Sequence, residues 1–223
     1  ENRFFLRLQP WAKEAIISKV DAGIGLQILN FYNFNPKYFL SGNQNNSEHN
    51  MYLYFGASGM FKKYFAWEGF GSYHLSGYNQ NDFRIGGEVR FSAYPLKNGI
   101  HLTGKLDISQ ERPGYYYNNY YSNHYIWDND FDKTLETRIE GRLDIPDYRL
   151  EVFFGYSLLK NNIYLDTLGN ASQNTDAMSV MTAYVRKDFK VGDILNINID
   201  DMWSNHNAIF GNTGSGKTYG VSR

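Results

Sequence analysis

From residue 16 to residue 28 the even positions read Ile16, Ser18, Val20, Ala22, Ile24, Leu26 and Ile28, while the odd ones include Lys19, Asp21, Gly23, Gly25 and Gln27. Successive side chains of a strand point to opposite faces, so this period of two gives a ribbon with one apolar and one polar side. The pattern returns as Phe83, Ile85, Val89, Phe91 and Ala93 against Arg84, Glu88, Arg90 and Ser92. It returns again as Ile100, Leu102, Leu106 and Ile108 against His101, Thr103, Lys105 and Asp107, and as Leu135, Ile139, Leu143 and Ile145 against Glu136, Arg138, Glu140, Arg142 and Asp144. Helical spacing fits none of these segments, and an all-β chain is predicted.

About ten strands are expected, over 2–9, 15–31, 51–59, 64–76, 83–94, 100–109, 134–145, 148–160, 177–189 and 194–200. Most reach the roughly 9 to 11 residues that a tilted strand needs to cross a bilayer, whereas globular strands centre near 5 to 6. The connections alternate in length. Short ones lie at 10–14, 60–63, 95–99, 146–147 and 190–193, and long ones at 32–50, 77–82, 110–133 and 161–176. Tight turns on one rim and long loops on the other are the signature of an antiparallel up-and-down transmembrane β-barrel, with the short rim periplasmic and the long rim extracellular. A soluble β-sandwich binding module is the alternative all-β reading.

Aromatic residues make up 17% of the chain, and several gather near strand ends: Phe31, Tyr32, Phe34, Tyr38 and Phe39 after one strand, Tyr64, Phe65 and Trp67 at the start of another, and Tyr94 at the end of a third. At strand ends they would form the girdles that mark the two membrane interfaces, although Tyr73 and Phe154 fall within strands. Basic and acidic residues number 22 and 23, which gives no broad electrostatic footprint for nucleic acid. Cysteine is absent, which excludes a disulfide or Cys-zinc scaffold. No apolar run approaches a transmembrane helix. The chain opens at Glu1 without an initiator Met or a signal peptide, and reads as a mature or internal piece.

If the strands close, the expected inward positions are Lys19, Asp21, Glu68, Arg84, Glu88, Arg90, Lys105, Asp107, Glu136, Arg138, Glu140 and Arg142, whose interleaved signs imply little net ion selectivity. Asp128, Asp130 and Asp132 have a D-x-D-x-D spacing, but Lys133 and Ile139 stand where an EF-hand needs Gly and Glu, so no metal site is assigned. The five histidines lack zinc-type spacing and are expected on surfaces or loops. No catalytic constellation stands out, and no enzyme is expected. The Tyr-rich stretch from 115 to 127 could stack on sugars or line a constriction, or pack on itself.

The runs FRIGGEVRFSAY at 83–94, PLKNG at 95–99 and PGYYYNNYYSNHYIWDNDF at 113–131 resemble the porin family of Bacteroidetes outer membranes, over residues 2–191. The resemblance implies a bacterial outer-membrane barrel that passes small solutes, with lipid and solutes as its partners. Family members are longer, so part of a barrel is expected here.

Residues 211–218, GNTGSGKT, match the G-x-x-x-x-G-K-[ST] pattern after the apolar run at 208–210. In that motif Gly211, Gly214 and Gly216 let backbone N–H groups wrap phosphates, Lys217 neutralises their charge and Thr218 ligates Mg²⁺. The stretch 192–223 resembles the opening of the P-loop domain of DNA-translocating ATPases of the HerA and FtsK type, which implies ATP and Mg²⁺ as ligands. Only five residues follow Thr218, too few for the helix and Walker B strand an NTPase needs. The expected organisation is therefore a barrel fragment over 1–191 and an incomplete P-loop-like segment over 192–223. A barrel hairpin whose Gly-rich loop mimics the motif is the other reading of the tail.

Overall fold

A computed structural model describes residues 1–9, 15–32, 45–191, 195–197 and 208–210. Its strands are β1 (Asn2–Leu8), β2 (Lys19–Tyr32), β3 (Asn45–Phe61), β4 (Phe65–Ser76), β5 (Phe83–Ala93), β6 (Ile100–Glu111), β7 (Asn119–Tyr121), β8 (Ile126–Asp128), β9 (Thr134–Ile145), β10 (Leu150–Lys160), β11 (Asn162–Leu165), β12 (Ala171–Asn174), β13 (Met178–Lys187), β14 (Phe189–Val191), β15 (Leu195–Ile197) and β16 (Ala208–Phe210). One helical turn, α1, spans Tyr115–Asn118. No helix among the described residues is long and apolar enough to cross a membrane.

Ten strands form one antiparallel sheet in the order β1-β2-β3-β4-β5-β6-β9-β10-β13-β16. Each strand pairs with its neighbour in sequence once the hairpins inside long loops are set aside, which is the up-and-down connectivity expected. The tenth strand differs. The expected strand at 194–200 is represented by β15, which pairs with β14 in a separate ribbon, and β16 takes the place beside β13. Among the described residues the sheet begins at β1 and ends at β16, and no pairing between those two closes it.

Register fixes which side chains share a face. Residues opposite one another in an antiparallel ladder point the same way. Phe65 of β4 stands opposite Phe91 of β5, which faces Leu102 of β6, then Leu143 of β9, Val152 of β10 and Val185 of β13. One step along, Ala66 lies opposite Arg90, then Thr103, Arg142, Phe153 and Tyr184. An apolar belt and a polar belt thus alternate across the sheet.

The apolar face is bare. Phe55 is 56% exposed, Ile85 51%, Leu102 53% and Ile139 50%. Tyr52, Tyr115 and Ala171 make up the buried hydrophobic residues among those described. Leaving such a side chain in water forgoes about 1.5–3 kcal/mol relative to burial, so a continuous face of them requires an apolar surrounding. A β-sandwich would supply it with a second sheet packed about 10 Å away. The described residues contain no such layer, and the sandwich reading gains no support.

Glycine serves a close approach at one position and a left-handed turn at another. Gly25 of β2 lies under the Tyr52 ring, where a Cβ would overlap it, and Gly99 adopts φ +81° in the β5–β6 turn. Gly25→Val is expected to destabilise the folded protein by about 1–3 kcal/mol because the ring must swing away. A lowered urea midpoint with unchanged slope checks this.

Candidate functional site: the charged sheet face and the folded rim

All twelve positions expected to face inward, Lys19, Asp21, Glu68, Arg84, Glu88, Arg90, Lys105, Asp107, Glu136, Arg138, Glu140 and Arg142, fall on the polar face of the sheet. They arrive there in rows. Ser58 is opposite Lys19 and Glu68; Glu68 is opposite Glu88, which faces Lys105, which faces Glu140. The next row carries Arg90, Thr103 and Arg142.

Opposite charges on neighbouring strands or along a strand pair closely. The Arg84 guanidinium grips Asp107 with two bonds, Nε to Oδ1 at 3.1 Å and Nη2 to Oδ2 at 2.9 Å. Asp21 accepts from Arg7 at 2.7 Å and pairs with Lys19 at 2.8 Å. Arg138 reaches Glu136 at 3.0 Å, Arg142 reaches Glu151 at 3.2 Å, and Arg90 reaches Glu88 at 3.4 Å. A concavity of about 500 Å³ opens on this face, lined by Glu88, Arg90, Lys105, Glu140, Arg142 and Asp144 among others. Such a surface is hydrated and mixed in sign.

His74 and His101 lie in β4 and β6, within strands expected from the sequence, and both sit on this face. The ladder sets Ser92, His101 and Asp144 side by side, with Ser92 Oγ 2.8 Å from His101 Nδ1. The other ring nitrogen meets the Asn98 carbonyl at 3.1 Å. Both nitrogens are thereby taken up and Asp144 orients neither, so the row lacks the third member of a triad.

Loop length maps onto two rims, each stitched laterally. On the short rim Asn98 donates twice to Asp147, at 2.9 Å from its backbone and 2.7 Å from its side chain, joining the β5–β6 turn to the β9–β10 turn. Tyr94 donates to the Lys63 carbonyl at 3.1 Å, joining it to the β3–β4 turn, and the Lys63 ammonium sits 4.2 Å from the Tyr94 ring centre. Tyr64 and Tyr94 meet edge to face at this rim with ring centres 6.0 Å apart, and Trp67 near the start of β4 donates its indole N–H to the Ile16 carbonyl at 2.8 Å. Tyr73, which by sequence falls within a strand, sits near the other end of β4 and donates to Asn81 in the loop at 2.8 Å. Its ring is on the apolar face and its hydroxyl in the polar loop, the disposition of an interfacial tyrosine. Phe34, Tyr38 and Phe39 lie outside the described residues.

The long rim is folded. Asp82, 2% exposed, accepts from Asn79 Nδ2 at 2.8 Å and from the Arg112 backbone at 2.9 Å, and pairs with Lys133 at 2.7 Å. Asn50, fully buried, donates to Asn79 at 2.7 Å. Arg112 covers the Tyr78 ring at 4.7 Å, and Phe31 stacks on Tyr115 with ring centres 4.1 Å apart. Burial pushes the Tyr78 phenol above its ordinary pKa, which keeps it protonated as donor to the Pro113 carbonyl at 2.7 Å. The loop between β4 and β5 thus pins the 112–133 loop to β2 and β3. Asp82→Ala is expected to cost about 2–4 kcal/mol of local stability, since it strands Lys133 and two N–H donors. Faster tryptic cleavage after Lys133, with the sheet intact by circular dichroism, checks it.

Asp128, Asp130 and Asp132 do not converge; no described group of three His, Asp or Glu could hold a metal ion. The motif residues Gly211, Gly214, Gly216, Lys217 and Thr218 lie outside the described residues. The apolar run before them is described, as β16, and it pairs antiparallel with β13, Ile209 opposite Val180.

An all-β sheet with up-and-down order, a bare apolar face, a charged opposite face and rims of unequal loops is of the porin-like class. The chain belongs to the family described as putative porin, whose sequence profile matches residues 1–208. That match ends at Ala208, the first residue of β16, before Gly211. No curated protein and no solved structure matches the chain.

Proposed function

We propose that the chain forms part of an outer-membrane β-barrel whose charged face lines a water-filled path for passive diffusion of small solutes. The observation that carries this reading is the sorting of side chains by register, with exposed apolar residues on one face and all twelve named charged positions on the other. In lipid every backbone donor and acceptor must be paired, so the two sheet edges meet each other or further strands. The lipid partner is then met by Phe55, Ile85, Leu102 and Ile139, and the solute by the rows of Glu88, Lys105 and Arg142.

Refolded into lipid vesicles, the protein is expected to increase permeability to small neutral sugars and to ions, with a cutoff by solute size. Vesicles that take up protein in a protease-resistant β form yet show no added permeability would overturn the diffusion reading. Incorporation failing altogether, with a soluble monomer in its place, would overturn the membrane reading as well.

A further inference from the structure

The geometry points to a binding site for an uncharged oligosaccharide on the long-loop rim, in a cavity of about 540 Å³ between the end of β2 and the β7–β8 hairpin. Its aromatic wall is made by Tyr32, Tyr116, Tyr120 and Tyr121, and its polar edge by Asn119, Ser122 and Asn123. Among the described residues no charged side chain lines it, in contrast to the cavity on the sheet face. A charged ligand would find no counter-ion there, whereas a pyranose offers C–H faces to aromatic rings and hydroxyls to amide groups that both donate and accept. The volume suits roughly two or three hexose units.

The platform is held before any ligand arrives. Tyr120 is stacked on Trp127 with ring centres 4.7 Å apart and planes 23° from parallel. Trp127 donates its indole N–H to the Tyr116 carbonyl at 2.9 Å, and the Tyr116 hydroxyl accepts from the Tyr32 backbone at 3.3 Å. Ser122 closes the hairpin tip, its backbone N–H donating to the Tyr125 carbonyl at 2.8 Å and its hydroxyl accepting from the Tyr125 N–H at 3.0 Å. The network of Asp82, Lys133 and Arg112 secures the base of the same loop. Rings fixed in this way lose little conformational freedom on binding, which is what a weakly attractive ligand such as a neutral sugar needs. The site stands on the loops and owes nothing to whether the sheet face conducts.

The test is calorimetric titration of the full chain, folded in detergent micelles, with maltohexaose, cellohexaose and xylohexaose, and with the charged hexamer of galacturonic acid. At least one neutral hexasaccharide is expected to bind saturably, and the charged one more weakly than each neutral binder. Tyr120→Ala should weaken binding about tenfold, and Tyr120→Phe should retain most of it, because the ring and not the hydroxyl supplies the platform. Asn123→Ala, at an exposed position that leaves the hairpin ladder untouched, should weaken it about threefold, and Leu168→Ser in a different loop should change nothing. No binding of any neutral hexasaccharide at about 10 mM, equal or tighter binding of the charged one, or unchanged affinity in both Tyr120→Ala and Asn123→Ala would overturn the assignment.

Discussion

Replacing Leu106 or Ile139 by arginine is expected to destabilise the protein in a bilayer by about 2–4 kcal/mol each, the cost of a guanidinium at mid-depth on the lipid side of a barrel. The two residues are opposite one another on β6 and β9, near the middle of both strands, and are 45% and 50% exposed. The same substitutions on a sheet bathed in water would fall within about 0.5 kcal/mol of zero, because an exposed isoleucine gives up little there. Lys105→Arg, one residue away on the other face, should be nearly neutral in either setting. Urea titrations of folding into vesicles measure all three, and equal stabilities for wild type, Leu106→Arg and Ile139→Arg would remove lipid from that face.

Reversing the carboxylates Glu68, Glu88 and Glu140 together to lysine is expected to convert a weakly selective path into an anion-selective one. These three share one cross-strand row with Lys105, so after substitution every charged residue of the row is basic. At separations of several ångströms in a hydrated lumen each charge contributes roughly 0.5–1 kcal/mol, enough together to shift the chloride-to-potassium permeability ratio about fivefold or more. The reversal potential under a salt gradient reads this directly. A shift of that size from residues on three strands requires that the row borders the ion path; no shift, with conductance retained, would place the path elsewhere.

The face assignment was legible in the sequence because period two is a local property. Alternation between Phe91 and Arg90, or Leu106 and Lys105, fixes sides without knowledge of partners, and the antiparallel ladder then carries one strand's sides onto the next. The rims were legible for a similar reason, since loop length is read by counting, and the structure gives the counting a physical form in the Asn98 to Asp147 and Asp82 to Lys133 links. What the sequence hid is non-local. Asp82, Asn79, Arg112 and Lys133 are ordinary loop residues until folding brings together positions up to 51 residues apart, and Asn50 gives no sign of complete burial. The two loop hairpins were missed because three- and four-residue strands are too short to show a period. Tyr73 was read as mid-strand because distance from the membrane edge depends on strand stagger. The edge of the sheet was hidden for another reason: a strand forms at 195–197, inside the range expected, but only pairing shows that it folds back on β14 and that β16 lies beside β13.

The family match covers the sheet as far as the first residue of β16 and leaves residues 209–223, with the Gly-rich sequence, outside it. Lys217 and Thr218 are correctly spaced for phosphate and Mg²⁺, yet a P-loop follows a strand of a parallel sheet, and β16 enters an antiparallel one.

The chain has no cysteine, so single cysteines introduced along β6 and β9 can be spin-labelled without background. Oxygen, which partitions into lipid, and a water-soluble nickel chelate compete as relaxation agents at each site. In vesicles strict alternation is expected: labels at 102, 106, 139 and 143 relaxed by oxygen, and labels at 103, 105, 138 and 142 relaxed by nickel. Nickel access at both sets, or oxygen access without a period of two, would contradict a sheet with one face in lipid and the other in water.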